Sequence, residues 1–279
     1  MTPLPAILCL HGHGTNAAIF HLQARRIVSA LHTRFRFIFV NAPFDSPPGP
    51  GVQPAFTDLG PFYRWHCDST VVGEFDITSE DVERERRHVR DLLTGYFERE
   101  NAGEGPGIVG IMAFSQGTRL ATGICMDREL RKGVKFAILI GGTFPTLDVD
   151  VFENEAVGMT ALEDDRSTGY DKELEEFFGR FSPSSSSGDG SLSPTASTSS
   201  ISSDVNALIN IPSIHIQGSA DPWRCEGTKL RQTYYNPDLT TVINFRGGHQ
   251  VPTGAKEAKI VEAAVTTAWD RAMTLRCID

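Results

Sequence analysis

One stretch near the middle of the chain limits its possible folds more than any other feature. Residues 108–114 (IVGIMAF) are apolar or small, as in a buried strand, and Ser115 follows them at once. A pattern of apolar residues suited to a helix begins directly after the serine and runs to Met126. A strand that passes into a helix without a loop predicts a tight turn at Ser115.

Short apolar runs of the same kind recur along the chain. Most are nearly continuous rather than alternating, which is typical of parallel strands covered on both faces. Helical patterns at 79–100, 115–126 and 256–273 separate many of them. We therefore predict an α/β fold with a mostly parallel sheet and helices on both faces. The predicted strands are residues 6–10, 35–40, 108–114, 135–140, 213–217 and 241–245.

Two stretches interrupt this alternation. Residues 42–60 are rich in proline and glycine and are predicted to form a loop. Residues 148–204 form an insertion between two strands, and within it residues 182–203 are mostly serine and have little to bury. We expect one domain over residues 1–279 that carries a partly disordered, lid-like insertion. Residues 171–181 of that insertion are predicted to form an amphipathic helix.

Composition excludes several classes of function. The formal charge is −9, from 35 acidic and 26 basic residues, and no block of Lys and Arg suggests a nucleic-acid partner. The five cysteines are an odd number without a CxxC pair, which indicates neither a disulfide framework nor a zinc site. We find neither a signal-peptide pattern nor an apolar run approaching the ~20 residues of a membrane span, and expect a cytoplasmic protein.

The residues around Ser115 fit a nucleophile elbow. This turn needs small residues two positions either side of the serine, where the chain doubles back, and here they are Ala113 and Gly117. Such a turn exposes the serine oxygen at the carboxyl end of the sheet, beside the free N–H groups of a helix N-terminus. The alternative is a serine that only caps a helix.

A serine nucleophile needs a base, and in this class of fold the histidine comes last in the chain. Downstream of Ser115 the chain has His215 and His249. His215 lies inside the predicted strand 213–217, which favours a structural role. His249 follows a strand in a glycine-rich loop (FRGGHQVP), where an imidazole can reach over the serine. We therefore predict His249 as the base, the alternative being a surface histidine.

The base needs an acid to fix its tautomer. Asp221 follows the predicted strand 213–217 through a Gly-Ser-Ala turn, which places it at the carboxyl edge of the sheet. Asp204 and Asp238 have no strand just before them. An aspartate before proline is also common in turns, and that is the alternative reading of Asp221.

The first strand ends in the sequence LHGHGT, whose glycines let the backbone approach a substrate closely. We predict that the backbone N–H groups of His13 and Gln116 form an oxyanion hole. His11 and His13 have no carboxylate close by in sequence, so we do not expect a metal site there.

Together these motifs resemble the fungal serine hydrolase family of α/β-hydrolases. The chain is similar to trans-acting esterases or thioesterases encoded with fungal polyketide synthases, such as the lovastatin-type releasing enzymes. The resemblance implies acyl transfer without a cofactor, on an ester or thioester substrate that a synthase carrier protein holds. Ala113 replaces the family's usual glycine, and the Ser-rich tract 182–203 is longer than is usual in the family. The residues that carry the resemblance are LHGHGTNAAIF, PFYRWH, AFSQGTRLA, IHIQGSADPW and GGHQVP.

Aromatic residues outside the triad motifs suggest a wall for the acyl chain. Phe62, Tyr63 and Trp65 follow Pro61 in a predicted loop, with Phe20 and Phe144 as further candidates. Ordinary packing onto the domain explains these residues equally well.

Three functions remain open at this point. The first is the release or editing of a polyketide acyl chain on a carrier protein. The second is a general carboxylesterase that acts on small or lipid esters. The third is an α/β-hydrolase-like binding protein without catalysis.

Overall fold

The computed structural model of the protein describes residues 3–67, 79–144 and 208–275. These residues belong to one unit of the chain. The predicted insertion 148–204, with its Ser-rich tract 182–203 and the helix expected at 171–181, lies outside the described residues. The single-domain organisation and the lid therefore stay predictions.

A six-stranded sheet forms the centre of the described part of the chain. Every pairing in it is parallel, and the first strand of the chain pairs with the strand that ends just before Ser115. Its strands are β1 (Ala6–Leu10), β2 (Arg36–Val40), β5 (Ile108–Phe114), β6 (Phe136–Ile140), β7 (Ser213–Gly218) and β8 (Thr240–Phe245), in the order β2-β1-β5-β6-β7-β8. Two short strands, β3 (Phe44–Ser46) and β4 (Phe62–Arg64), pair antiparallel beside it.

Helices cover both faces of the sheet. They are α1 (Ala17–Leu31), α2 (Ser79–Asn101), α3 (Gln116–Met126), α4 (Arg224–Tyr234) and α5 (Ala255–Leu275). Side chains of α1 and α5 share one apolar core with Ile7 and Cys9 of β1. Side chains of α2 and α3 share a second core with Leu8 and Leu10. Alternate residues of β1 thus face opposite cores, as a doubly covered parallel sheet requires. None of the described helices is both long enough and apolar enough to cross a membrane.

The predicted α/β architecture is confirmed, and each predicted strand agrees with the structure to within one residue at either end. The prediction of a plain loop over 42–60 is wrong in part, because β3 lies inside it and pairs with β4. Phe62 and Tyr63 likewise lie in a strand rather than in a loop. Strands of three residues carry too short a pattern to be read from sequence, since their pairing depends on the surrounding fold.

Candidate active site

The turn at Ser115 has the strained geometry that the sequence predicts. Ser115 has φ 51° and ψ −122°, and among the described residues it alone combines a positive φ with a side chain. Its N–H donates to the Ile140 carbonyl at 3.0 Å. Its carbonyl accepts from the Thr118 N–H at 2.8 Å, the Thr118 hydroxyl at 2.6 Å and the Thr143 hydroxyl at 3.3 Å. These bonds stabilise a conformation that costs on the order of 1–3 kcal/mol.

The small residues beside the serine are explained by close packing. A Cβ on Gly117 would lie 2.4 Å from the Leu10 carbonyl oxygen, so this position admits no side chain. Ala113 is fully buried on β5, in register with Leu10 of β1 and Leu139 of β6. The turn therefore accommodates one methyl group at 113 but none at 117.

Three polar side chains from separate strand ends form one hydrogen-bonded chain. His249 Nε2 lies 2.9 Å from Ser115 Oγ, and His249 Nδ1 lies 2.9 Å from Asp221 Oδ2. The second carboxylate oxygen of Asp221 accepts from the Trp223 N–H at 2.9 Å. An ionised carboxylate can only accept, so Nδ1 carries the proton and Nε2 accepts from the serine hydroxyl. The Asp221 side chain is 2% exposed and that of His249 is 14% exposed, which leaves the imidazole within reach of a substrate.

The loops that carry Asp221 and His249 are hydrogen-bonded to each other. Ser219 N–H donates to the Phe245 carbonyl and Ala220 N–H donates to the Gly247 carbonyl, both at 2.9 Å. A Cβ on Gly218 would lie 2.3 Å from the Gly248 carbonyl oxygen. Gly218 at the end of β7 and the glycines after β8 therefore allow the two backbones to touch, which sets the distance between Asp221 and His249.

Residues that the sequence did not single out surround the His249 ring. The centroid of the Phe114 ring lies 5.0 Å from the centroid of the His249 ring, and that of the Trp223 ring lies 4.5 Å from it. Gly141, at φ +54°, leaves the space on a third side, where a Cβ would come within 2.9 Å of His249 Cε1. A glycine at the end of a predicted strand was the available signal for this position.

The other histidine and aspartates that the sequence offered as base or acid are not part of this hydrogen-bonded chain in the described residues. His215 is buried on β7, with its ring 4.8 Å from that of Tyr235. Burial, together with the charge of Arg231, lowers the pKa of His215 to about 3. Asp238 is exposed in a short 3-10 helix, and Asp204 lies outside the described residues. Of the described candidates, the structure brings Asp221 to His249.

The loop after β1 is anchored by a buried neutral histidine. The Ala42 N–H donates to His11 Nε2 at 3.0 Å, so Nδ1 carries the proton and donates to the Gly12 carbonyl at 2.7 Å. Burial lowers the pKa of His11 to about 4. The bond to the Gly12 carbonyl raises this pKa, and the nearby charge of His13 lowers it. Both nitrogens of His11 are thus used inside the protein. The described residues include no group of three His, Cys, Asp or Glu arranged to hold a metal ion.

The two predicted oxyanion donors lie on elements that approach Ser115. Gln116 is the first residue of α3, where an N–H has no acceptor within the helix. A Cβ on Gly12 would lie 3.1 Å from Ser115 Cβ, so the loop that carries His13 passes close to the serine. Gly14, at φ +63°, turns that loop, and a Cβ there would clash with the backbone of residue 49.

Two of the five predicted pocket residues lie in the core instead of on an open wall. Phe20 and Trp65 have no exposed surface. Phe20 packs near Phe39 and Phe114 from α1. The Trp65 indole N–H donates to the His11 carbonyl at 2.8 Å. Both residues are therefore packed inside the protein, which is the alternative that the sequence left open, and Trp65 in addition hydrogen-bonds the loop after β1.

The other three keep some exposed surface. Phe62 and Tyr63 are half-buried on β4. Phe144 is 8% exposed, stacks on Tyr234 at 5.9 Å, and has Lys229 Nζ 4.3 Å from its ring centroid. Their contact with a substrate stays a prediction.

Proteins of similar sequence or fold are serine hydrolases, esterases and thioesterases. A family model described as serine hydrolase (FSH1) matches residues 1–261. The chain is 46% identical over 271 residues to the thioesterase FSL2 of Gibberella zeae, a match that covers 97% of this chain and 95% of that protein. It is 30% identical over 273 residues to an esterase of Didymella fabae, over 94% of this chain and 89% of that one. The solved structure of esterase PE8 matches with a TM-score of 0.51 at 14% identity, covering 96% of this chain and 94% of that one. At that identity the match supports the fold, which is the α/β-hydrolase fold.

Proposed function

Because this chain belongs to the FSH1 family of serine hydrolases, we propose that it cleaves an ester or thioester through an acyl-enzyme on Ser115. In this proposal His249 is the general base and Asp221 orients it. The observation that carries the proposal is the hydrogen-bonded path from Asp221 through His249 to Ser115, with both links at 2.9 Å.

The first step is attack on the substrate carbonyl. A serine hydroxyl is a weak nucleophile at neutral pH, and His249 Nε2 takes its proton as Oγ bonds to the carbonyl carbon. Asp221 remains ionised and stabilises the imidazolium that forms. The burial of its carboxylate favours this role, because a charge shielded from water acts more strongly on its neighbour.

The negative charge on the carbonyl oxygen must then be stabilised. The backbone N–H groups of His13 and Gln116 donate to this oxygen in our proposal, and each such donor is typically worth ~3 kcal/mol in the transition state. The imidazolium of His249 gives its proton to the departing thiolate or alkoxide. Water, activated by the same imidazole, then cleaves the acyl-enzyme and restores Ser115. These steps use the protein's own groups and water.

We propose a thioester as the preferred substrate, with a polyketide acyl chain on a synthase carrier protein as its source. Two facts favour the thioester: a thiolate leaves readily, and the 46% identical relative is named a thioesterase. The carrier-bound polyketide chain is supported by the resemblance to the trans-acting esterases and thioesterases of fungal polyketide synthesis. The second candidate is a general carboxylesterase, which the name of the Didymella fabae relative favours.

The nucleophile is tested with a fluorophosphonate probe and mass spectrometry of the labelled peptides. We expect the adduct on Ser115 in the wild-type protein and in Ser29→Ala, a control at an exposed serine of α1. Ser115→Ala should neither be labelled nor turn over substrate. Undiminished turnover by Ser115→Ala would refute the proposed mechanism.

The substrate class is tested by comparing kcat/KM for an acyl-loaded carrier protein with kcat/KM for simple esters of the same acyl group. The proposal predicts the higher value for the carrier-bound thioester. Equal or better turnover of the free esters would favour the carboxylesterase instead. Mass spectrometry of the acyl-enzyme from a reconstituted pathway would identify the acyl chain.

A further inference from the structure

A short segment beside the site, residues 63–66, contacts both elements that carry the predicted oxyanion donors, namely the loop after β1 and the start of α3. Toward the His13 loop, the Tyr63 carbonyl accepts from the Gly14 N–H at 2.9 Å and the Tyr63 N–H donates to the Thr15 carbonyl at 2.8 Å. The Trp65 indole N–H donates to the His11 carbonyl at 2.8 Å. Three hydrogen bonds therefore fix this segment to the loop after β1.

Toward α3, the same segment is held by the side chain of Gln116. The Gln116 Oε1 accepts from the Trp65 N–H at 2.9 Å, and Nε2 donates to the His66 carbonyl at 3.1 Å. Gln116 is 4% exposed and Trp65 is fully buried, so water does not compete for these bonds. The side-chain amide thus pairs with the backbone as a neighbouring strand would.

A partly buried ion pair anchors the far side of the segment to α2. Arg64 donates two hydrogen bonds to the Glu85 carboxylate, at 2.9 and 2.8 Å, and the Cys67 N–H donates to the same carboxylate at 2.8 Å. Burial raises the pKa of Glu85, but the bonds from Arg64 and Cys67 outweigh it and hold that pKa below its ordinary value. Glu85 is therefore ionised at neutral pH and keeps this anchor in place.

We propose that residues 63–66 act as a clamp that fixes the spacing of the two oxyanion donors, with the Gln116 side chain as its positioning group. This inference rests on the proposed function, in which the N–H groups of His13 and Gln116 hold the oxyanion. The Ser115–Gln116 peptide is held at its carbonyl by Thr118 and Thr143, and the Gln116 side chain is a second hold next to its N–H. Releasing the side chain removes this second hold and lets the N–H shift. Donors act only when they lie about 2.7–3.1 Å from the oxyanion, so a small tilt lowers the rate.

The test is Gln116→Met, which keeps the length of the side chain and removes both hydrogen bonds to the clamp. We expect kcat to fall on the order of 10- to 100-fold, because misplacement by about 1 Å can cost that much. KM should stay within about twofold, since the lost interaction acts in the transition state. The inhibition constant of a trifluoromethyl ketone analogue of the substrate should rise by the factor by which kcat/KM falls.

The matched control is Thr122→Val on the same helix. It removes two buried hydrogen bonds of the Thr122 hydroxyl, one of 2.8 Å to the Thr118 carbonyl and one of 2.9 Å to the Tyr235 hydroxyl, and leaves the bonds to the clamp in place. This variant should lower the melting temperature and leave kcat unchanged, which separates lost stability from lost positioning.

A second variant, Trp65→Phe, removes the indole donor to His11 and keeps an aromatic ring. It should reduce kcat on the order of tenfold with KM unchanged, and it serves if Gln116→Met does not fold. Wild-type kcat in the variants that fold, or a loss of kcat that only follows melting temperature as in Thr122→Val, would overturn the clamp. Such a result leaves the proposed function intact as long as Ser115→Ala is inactive, whereas activity of Ser115→Ala would overturn the proposed function itself.

Discussion

Acidification should destabilise this protein through His215, and the size of the effect follows from its burial. The side chain lies on β7 against Tyr235, and burial with the charge of Arg231 lowers its pKa from 6.5 to about 3. In the unfolded chain the imidazole titrates at its ordinary value. Between these two pKa values the unfolded chain binds a proton that the folded protein does not. The contribution of His215 to stability is therefore greatest above pH 6.5 and falls as the pH drops below it.

The magnitude at pH 5 depends little on how far the folded pKa is depressed. This pH lies about 1.5 units below the pKa of an ordinary histidine, and protonation of the imidazole stabilises the unfolded chain by about 2 kcal/mol. The folded protein gains nothing at pH 5, because a group with a pKa of about 3 is still neutral there. We therefore expect His215 to account for about 2 kcal/mol of the stability lost between pH 8 and pH 5.

The assay is urea unfolding of the wild-type protein and of His215→Phe at pH 8 and at pH 5. Phenylalanine cannot titrate, so the loss of unfolding free energy on acidification should be about 2 kcal/mol smaller in the variant. Comparing each protein with itself cancels the packing change that the substitution causes. Ile214→Val, a non-titrating change at the neighbouring buried position, should lower stability equally at both pH values. An equal acid-induced loss in wild type and His215→Phe would refute the reasoning.

Two substitutions in the active site make further predictions. Asp221→Asn replaces an acceptor by an amide that can donate to His249 Nδ1, which favours the wrong tautomer; kcat should fall on the order of 10⁴-fold with KM little changed. A loss below tenfold in steady-state kinetics would contradict that role. Gly141→Ala places a methyl group 2.9 Å from His249 Cε1 at a φ of +54°, so kcat should fall on the order of 100-fold. Gly95→Ala, on α2 with open space at the Cβ position, is its control and should keep wild-type kcat.

The convergence of the three polar side chains could be predicted because each follows an apolar run. Ser115 follows β5, Asp221 follows β7 and His249 follows β8, and the sheet is parallel. Carboxyl ends of parallel strands meet at one edge, so strand prediction and chain order were enough to bring the residues together. Their catalytic roles stay a prediction that the labelling and kinetic experiments test.

The aromatic wall could not be predicted in the same way. Phe20 and Trp65 are large apolar residues near site motifs, but a core position and a pocket position select the same residue type. Only the packing of surrounding elements separates the two cases. The clamp was missed for a related reason, since the Gln116 side chain pairs with a backbone about 50 positions earlier in the chain. No periodicity in the sequence reports a contact of that kind.

The end of β6 shows how a strand without a predicted catalytic residue can still determine the site. Its last residue, Ile140, accepts the N–H of Ser115, and Thr143 donates to the Ser115 carbonyl. Between them Gly141 leaves the space that the His249 ring occupies. These three residues thus hold the strained serine and leave space for the His249 imidazole. A side chain added at 141 would displace the His249 ring, and a lost hydroxyl at 143 would remove a hydrogen bond to Ser115. The distance of 2.9 Å between Ser115 Oγ and His249 Nε2 therefore depends on this loop in two ways.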